Sequence, residues 1–107
     1  MNKRGIVFYK DFKAGLIAET DEGYEFVYTA EYLEMDSAKP VSLTLPLSTY
    51  KYTSKVLFPF FDGLIPEGWL LDIAAKHWKV KSNDRFELLL LTCRDTIGAV
   101  TIIPEQI

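Results

Sequence analysis

Three short apolar segments open the chain, and the connections between them are very short. Gly5–Tyr9, Leu16–Thr20 and Tyr24–Tyr28 are rich in β-branched and aromatic residues, which favours β-strands. Asp11–Gly15 and Asp21–Gly23 carry the residue types of turns. A parallel pair of strands needs a connection of about a dozen residues or more, so the three segments must form an antiparallel meander.

Alternation of apolar and polar residues indicates which strand faces point to the core. In the third segment Tyr24, Phe26 and Tyr28 share one face. Val41–Leu45 alternates in the same way and predicts a further strand, which Pro46 ends. Its expected inward set is Val41, Leu43 and Leu45. The polar stretch Thr49–Ser54 is interpreted as an exposed loop.

The second half of the chain favours short helices. Val56–Ile65 is densely apolar, but its internal proline and glycine predict short helical turns rather than one long element. A helix is expected to start near Pro66, because proline is favoured in the first helical turn. Ser82–Asp84 is a helix-start signal before the apolar run Phe86–Leu91, which predicts a buried helix.

The last apolar segment completes the predicted fold. Ile97–Ile103 is expected to be a strand, ended by Pro104, that joins the first strand and so covers an apolar edge. The predicted class is α+β: a small, strongly curved, β-barrel-like antiparallel sheet of about five strands with two or three short helices. The length of 107 residues predicts a single domain over 1–107.

Charge and composition narrow the class of partner. The formal net charge of −3 argues against direct nucleic-acid binding, which usually requires a basic face. The single cysteine suits a reducing compartment, and no segment has the length of a signal peptide or a membrane span. We therefore expect a cytoplasmic protein that contacts neither nucleic acid nor membrane.

Residues that could support catalysis are few. His77, the only histidine, lacks recognisable metal-ligand spacing to Asp72 and is interpreted as a partly buried helix residue. Cys93 has no activating histidine motif and is read as a small half-buried side chain. Phosphate-binding glycine loops and the kinase signature motifs are missing. We expect a protein that is not an enzyme and binds neither metal, cofactor nor nucleotide.

Three motifs together resemble a known family. Val41–Leu47, Phe60–Gly68 and Arg94–Val100 are similar, in order and spacing, to the S-L-S-L-P, F-F-x-x-L-L-P-E-G and G-R-D-x-x-G-A-V patterns of HipA-type kinases. These patterns belong to the N-terminal subdomain, and the resemblance covers nearly the whole chain. Cys93 departs from it, because it stands where a glycine is expected.

The resemblance implies a function as well as a fold. A chain this short is similar to the free-standing HipS-like antitoxins of three-component HipBST systems. It implies an antitoxin that binds and inhibits a HipT-like Ser/Thr kinase toxin, and a ternary complex with a HipB-like DNA-binding protein. The alternative is that the chain is the excised N-terminal regulatory subdomain of a full-length HipA-type kinase.

The predicted partner-binding residues lie in the second motif: Asp62, Pro66, Glu67, Gly68 and Trp69. The apolar members of that motif are interpreted as core: Phe60, Phe61, Leu64 and Ile65. Trp69 lies off the apolar stripe of the expected helix, beside a glycine, which is typical of an interface anchor. The alternative is that Trp69 packs under the Lys51–Lys55 loop.

Overall fold

The computed structural model describes residues 3–65, 85–93 and 99–105, which contain five strands and three short helices. In chain order the strands are β1 (Arg4–Tyr9), β2 (Phe12–Thr20), β3 (Gly23–Tyr28), β4 (Tyr52–Ser54) and β5 (Val100–Pro104). The helices are α1 (Ala30–Leu33), α2 (Pro59–Asp62) and α3 (Arg85–Thr92).

The five strands form one antiparallel sheet in the order β4-β3-β2-β1-β5. The predicted meander is confirmed, because β1, β2 and β3 are sequential neighbours. The pairing of the last strand with the first is also confirmed, since Gly5 lies opposite Pro104 and Tyr9 opposite Val100. The sheet is open, with β4 and β5 as its outer strands.

The first hairpin turns earlier than the sequence predicts. Tyr9 pairs with Phe12, so only Lys10, with φ 57°, and Asp11 form the turn. The expected turn Asp11–Gly15 is therefore wrong from Phe12 onward, because β2 continues through it. The turn-like residues Ala14 and Gly15 lie at a β-bulge instead. Val7 pairs with Gly15 and Phe8 with Lys13, which leaves Ala14 as the extra residue of β2.

The fourth strand is not where the sequence placed it. Thr49–Ser54 was expected to be a loop, but Tyr52–Ser54 pairs with β3, with Tyr52 opposite Phe26. Tyrosine and threonine are good strand formers, and these three residues satisfy the hydrogen-bonding groups on the open edge of β3. Local polarity therefore misled the prediction.

The helices begin at recognisable signals. Thr29 caps α1, because its Oγ1 accepts a hydrogen bond from the Tyr32 N–H at 3.2 Å. Pro59 occupies the first turn of α2, where it costs no backbone hydrogen bond. The predicted buried helix is confirmed in α3, although the residues that precede Arg85 lie outside the described ranges.

The core lies between the sheet and the two later helices. The ring of Phe61 in α2 lies 5.4 Å from the ring of Phe26 in β3, centre to centre, with a tilt of 54°. The ring of Phe86 in α3 lies 5.6 Å from that of Tyr24 in the same tilted arrangement. The largest fully buried side chains are Tyr32, Phe26, Phe61, Phe86, Ile17, Leu89, Ile102, Val7 and Cys93. Within the described ranges, no helix has the length and apolar character needed to cross a membrane.

Candidate interaction surfaces

The segment Val41–Leu45 forms a tight turn instead of the predicted strand. The Leu45 N–H donates to the Ser42 carbonyl at 3.0 Å, and the Thr44 N–H donates to Ser42 Oγ at 3.2 Å. Val41 and Leu45 are buried as expected, but Leu43 is 95% exposed. The turn reverses the chain between the two buried residues, so the inward assignment of Leu43 is wrong.

Tyr28 attaches both ends of this turn to the sheet. Its hydroxyl donates a short hydrogen bond to the Leu45 carbonyl and accepts one from the Val41 N–H at 3.0 Å. Tyr28 is itself buried, with 3% of its surface exposed, on the core face that the alternation predicted. One β3 side chain therefore satisfies two backbone groups that flank Leu43.

Two further tyrosines hold the neighbouring backbone. The Tyr32 hydroxyl donates to the Lys39 carbonyl at 2.6 Å and accepts from the Lys39 N–H at 3.1 Å. The Tyr52 hydroxyl donates to the Pro46 carbonyl at 2.6 Å. We call residues 39–47 the tyrosine-bound loop, because three tyrosine hydroxyl groups, from β3, α1 and β4, bind the backbone of four of its residues: Lys39, Val41, Leu45 and Pro46.

Burial makes the ionisation of Tyr28 measurable. Desolvation raises the pKa of Tyr28 from 10.0 to about 12, against a smaller lowering by the Val41 hydrogen bond. The neutral Tyr28 hydroxyl therefore stabilises the folded state relative to the unfolded state. This stabilisation is fully present below pH 10 and is lost as the pH rises through about 12. We expect the free energy of unfolding to fall over this window by about 2–3 kcal/mol, measured by urea denaturation at stepped pH.

The matched controls for this prediction are two tyrosine-to-phenylalanine variants. Tyr28→Phe should lose about 1–3 kcal/mol at neutral pH, because two buried backbone groups lose their partner, and it should lack the alkaline loss. Tyr50→Phe removes the hydroxyl of a residue that is 80% exposed, and it should keep the alkaline loss of stability. An equal alkaline loss in Tyr28→Phe and the unmodified chain contradicts the prediction.

Exposed apolar side chains are concentrated in one stretch of the sequence. Of the six large apolar side chains that are exposed in the described ranges, four lie within 43–56. These are Leu43, Leu47, Tyr50 and Val56. Carboxylates lie close to two lysines of this stretch: Lys51 pairs with Glu25 at 3.3 Å, and Lys55 lines one pocket with Asp21 and Glu22. The stretch is therefore apolar in part, but these two lysines do not make it a cationic surface.

Only one of the predicted partner-binding residues falls in the described ranges. Asp62 is the last residue of α2 and is partly exposed; its carbonyl accepts from the Ile65 N–H at 3.3 Å. Pro66, Glu67, Gly68 and Trp69 lie outside the described residues, as does His77. Their predicted roles therefore remain predictions.

The segment that leads to these residues is anchored in the core. Phe61 has no exposed surface, Ile65 is 8% exposed, and Phe60 and Leu64 pack against the same cluster, which confirms the core interpretation. The Cys93 Sγ donates to the Leu64 carbonyl at 3.5 Å. Cys93 is fully buried rather than half-buried, because it continues the buried stripe of α3. The segment that ends at Ile65 is therefore packed firmly in the core.

The alternation in Val41–Leu45 wrongly placed Leu43 in the core, although the sequence also contains signs of a turn. Pro40 and Pro46 bracket the segment, and both restrict the hydrogen-bonded pairing that a strand requires. Ser42 and Thr44 are residues whose hydroxyls commonly bond to nearby backbone in turns. Five alternating residues between two prolines fit a turn with buried ends as well as they fit a strand.

Comparisons with known proteins agree on one family. Residues 5–103 match the family model described as the HipA N-terminal domain. A solved structure titled "N-terminal domain of HipA toxin" superposes with a TM-score of 0.73 at 32% identity, covering 97% of this chain and 93% of that one. The sheet order and the short helices described above therefore belong to an established fold.

Relatives differ widely in length. An uncharacterized protein of Haemophilus influenzae is 35% identical over 104 residues, which span 97% of this chain and 94% of that protein. The Sinorhizobium fredii protein named "Putative kinase Y4dM" is 32% identical over 87 residues, which span 76% of this chain but 21% of the kinase. The same unit therefore occurs both nearly alone and as about a fifth of a longer chain.

Proposed function

The chain belongs to the HipA N-terminal domain family, and we propose that it is an antitoxin that binds and inhibits a HipT-like Ser/Thr kinase toxin. The observation that carries this proposal is the length of its relatives. The unit matches 94% of one protein, whereas it makes up 21% of a kinase. In a longer kinase chain this subdomain covers a surface of the kinase core. As a separate protein, the subdomain can still bind that surface.

The proposed mechanism is binding without chemistry. The HipA N-terminal domain is a regulatory subdomain and not the catalytic part of the kinase. In the described residues, no group of three or more histidine, cysteine or acidic side chains is placed to hold a metal ion. Inhibition would then come from occupying the kinase surface, so that the kinase cannot reach a productive arrangement. A HipB-like DNA-binding protein would complete a ternary complex.

A second candidate is favoured by a specific observation. Two Sinorhizobium fredii proteins named as kinases contain this unit within a longer chain, at 32% and 30% identity. The chain would then be the N-terminal regulatory subdomain of such a kinase. Reading the gene beyond Ile107 separates the two candidates: an in-frame kinase core supports the second, and a separate kinase gene nearby supports the first.

Co-expression with a HipA-like kinase, taken from a neighbouring gene where one is found, tests the proposal. We expect the chain to co-purify with the kinase and to suppress both its autophosphorylation and its toxicity, in proportion to the amount of complex. The control is Phe61→Ala, which should unfold part of the population and weaken the inhibition in proportion to the unfolded fraction. A chain that is folded and yet neither binds nor inhibits the kinase would overturn the antitoxin role.

A further inference from the structure

The outer face of the sheet carries an unbroken apolar row. All three described helices pack on the core face of β3, through Tyr32, Phe61 and Phe86. On the opposite face, the strand register places apolar residues of β5, β1, β2 and β3 side by side: Ile103, Ile6, Leu16 and Val27. These side chains are all at least partly exposed. Outward positions of an antiparallel sheet with one solvated face are commonly polar, so this row is suited to contact another surface.

Charged residues form a second row on the same face. The register continues it across the five strands as Glu105, Arg4, Ala18, Glu25 and Thr53. Arg4 Nε lies 3.1 Å from Glu105 Oε2, and Lys51 Nζ lies 3.3 Å from Glu25 Oε2. These four side chains keep part of their surface exposed, so each can also attract a charge on a partner. Ala18 of β2 therefore has a cation on one side and an anion on the other.

The two rows are self-complementary about a two-fold axis. Two sheets that pack face to face lie about 10 Å apart with their strands nearly aligned. If the axis runs between the sheets and parallel to β2, then β1 of one copy faces β3 of the other. Leu16 then meets Leu16 of the second copy, and Ile6 meets Val27. Arg4 meets Glu25 twice, once on each side of the axis, because a two-fold contact is reciprocal.

We propose that the outer face of the sheet binds a second copy of this chain in a two-fold dimer, with the apolar row at its centre and the two Arg4–Glu25 contacts at its sides. A partner surface of uniform charge would match only one side of β2 and repel the other. Lys13 also points outward, since it pairs with Phe8, and two copies would bring their lysines together there. The contact is therefore centred on the rows of Leu16 and Ala18.

This association is separate from the proposed antitoxin function. Phe61 of α2 packs on Phe26, on the core side of the sheet, so the dimer contact lies on the opposite side from α2. Asp62, the described residue of the predicted kinase contact, belongs to α2 and is not covered by the second copy. Each copy in the dimer can therefore present its α2 segment to a kinase.

Sedimentation velocity over a range of concentrations tests the dimer. Leu16→Lys should weaken self-association at least about 30-fold, because two like charges then meet on the axis. Phe12→Lys is the matched control: Phe12 is a 51% exposed apolar residue on the first hairpin, outside both rows. Its dimer should form within about twofold of the unmodified affinity. Thermal melts of both variants establish that they fold.

Arg4→Glu and Glu25→Arg provide the sharper test. Each variant alone opposes like charges at both side contacts and should weaken self-association about tenfold or more. In a mixture of the two variants, each side contact of the mixed dimer again joins opposite charges. Mixing should therefore restore dimers to within about threefold of the unmodified affinity. A role of these residues within a single chain cannot produce this rescue.

The outcomes separate the possible occupants of the face. An unmodified chain that stays monomeric up to about 1 mM overturns the proposal. A dimer that is insensitive to Leu16→Lys, or that mixing does not restore, overturns it as well. If Leu16→Lys fails to fold, the mixture of charge variants decides alone. A monomeric chain that loses kinase binding in Leu16→Lys would assign the face to the kinase instead.

Discussion

Phe61→Ala is expected to lower the free energy of unfolding by about 3–5 kcal/mol, the cost of truncating a fully buried phenylalanine. Phe61 has no exposed surface. The centre of its ring lies 5.4, 6.1 and 5.2 Å from the ring centres of Phe26, Phe58 and Phe60. Small domains are stable by only about 5–15 kcal/mol, so this loss should unfold part of the population at growth temperature. Urea denaturation monitored by circular dichroism measures it.

Phe60→Ala is the matched control for this prediction. The substitution is identical and the position is adjacent, but Phe60 is only partly buried at the margin of the core. We expect a clearly smaller loss, because the cavity left at Phe60 is open to water. A Phe61→Ala loss that is near zero, or no greater than that of Phe60→Ala, would show that α2 does not depend on the contact with Phe26.

Trp69→Ala is expected to weaken binding to the kinase by about 2–4 kcal/mol, the range of a central hot spot. The prediction rests on the sequence: Trp69 lies off the expected apolar stripe, and Gly68 removes a side chain beside it, which lets a partner's backbone approach. Glu67 could pair with a basic group of the kinase and orient the indole. The buried Ile65, at 8% exposure, provides a fixed base four residues earlier.

The decisive measurement for Trp69 is paired. The affinity of Trp69→Ala for the kinase should fall, whereas the melting temperature of the variant on its own should be nearly unchanged. Trp78→Ala is the matched control. Trp78 lies at the other end of the helix expected to start near Pro66 and is interpreted from the sequence as a packing residue, so its truncation should lower stability. If Trp69→Ala melts at a much lower temperature, or binds the kinase as tightly as the unmodified chain does, then Trp69 is a packing residue. The inhibitory contact should then be sought first on Thr49–Lys55.

The local chemistry of the chain was enough to predict most of the sheet. Strand propensity in Gly5–Tyr9, Leu16–Thr20 and Tyr24–Tyr28, with connections too short for a crossover, requires an antiparallel meander whatever the rest of the chain does. The helix-start signal before the apolar run Phe86–Leu91 likewise predicts a buried helix, and Phe86, Leu89 and Leu90 are buried. These signals are local, so they can be read without knowing the partner elements.

The tertiary structure alone decided the elements whose state depends on distant groups. Tyr52–Ser54 is a strand because β3 offers an open edge, and Val41–Leu45 is a turn because the Tyr28 hydroxyl, 13 and 17 residues away in sequence, holds both of its ends. A hydrogen bond between groups so far apart in sequence leaves no local periodicity. The exposure of Leu43 follows from that bond, which is why alternation alone placed it in the core.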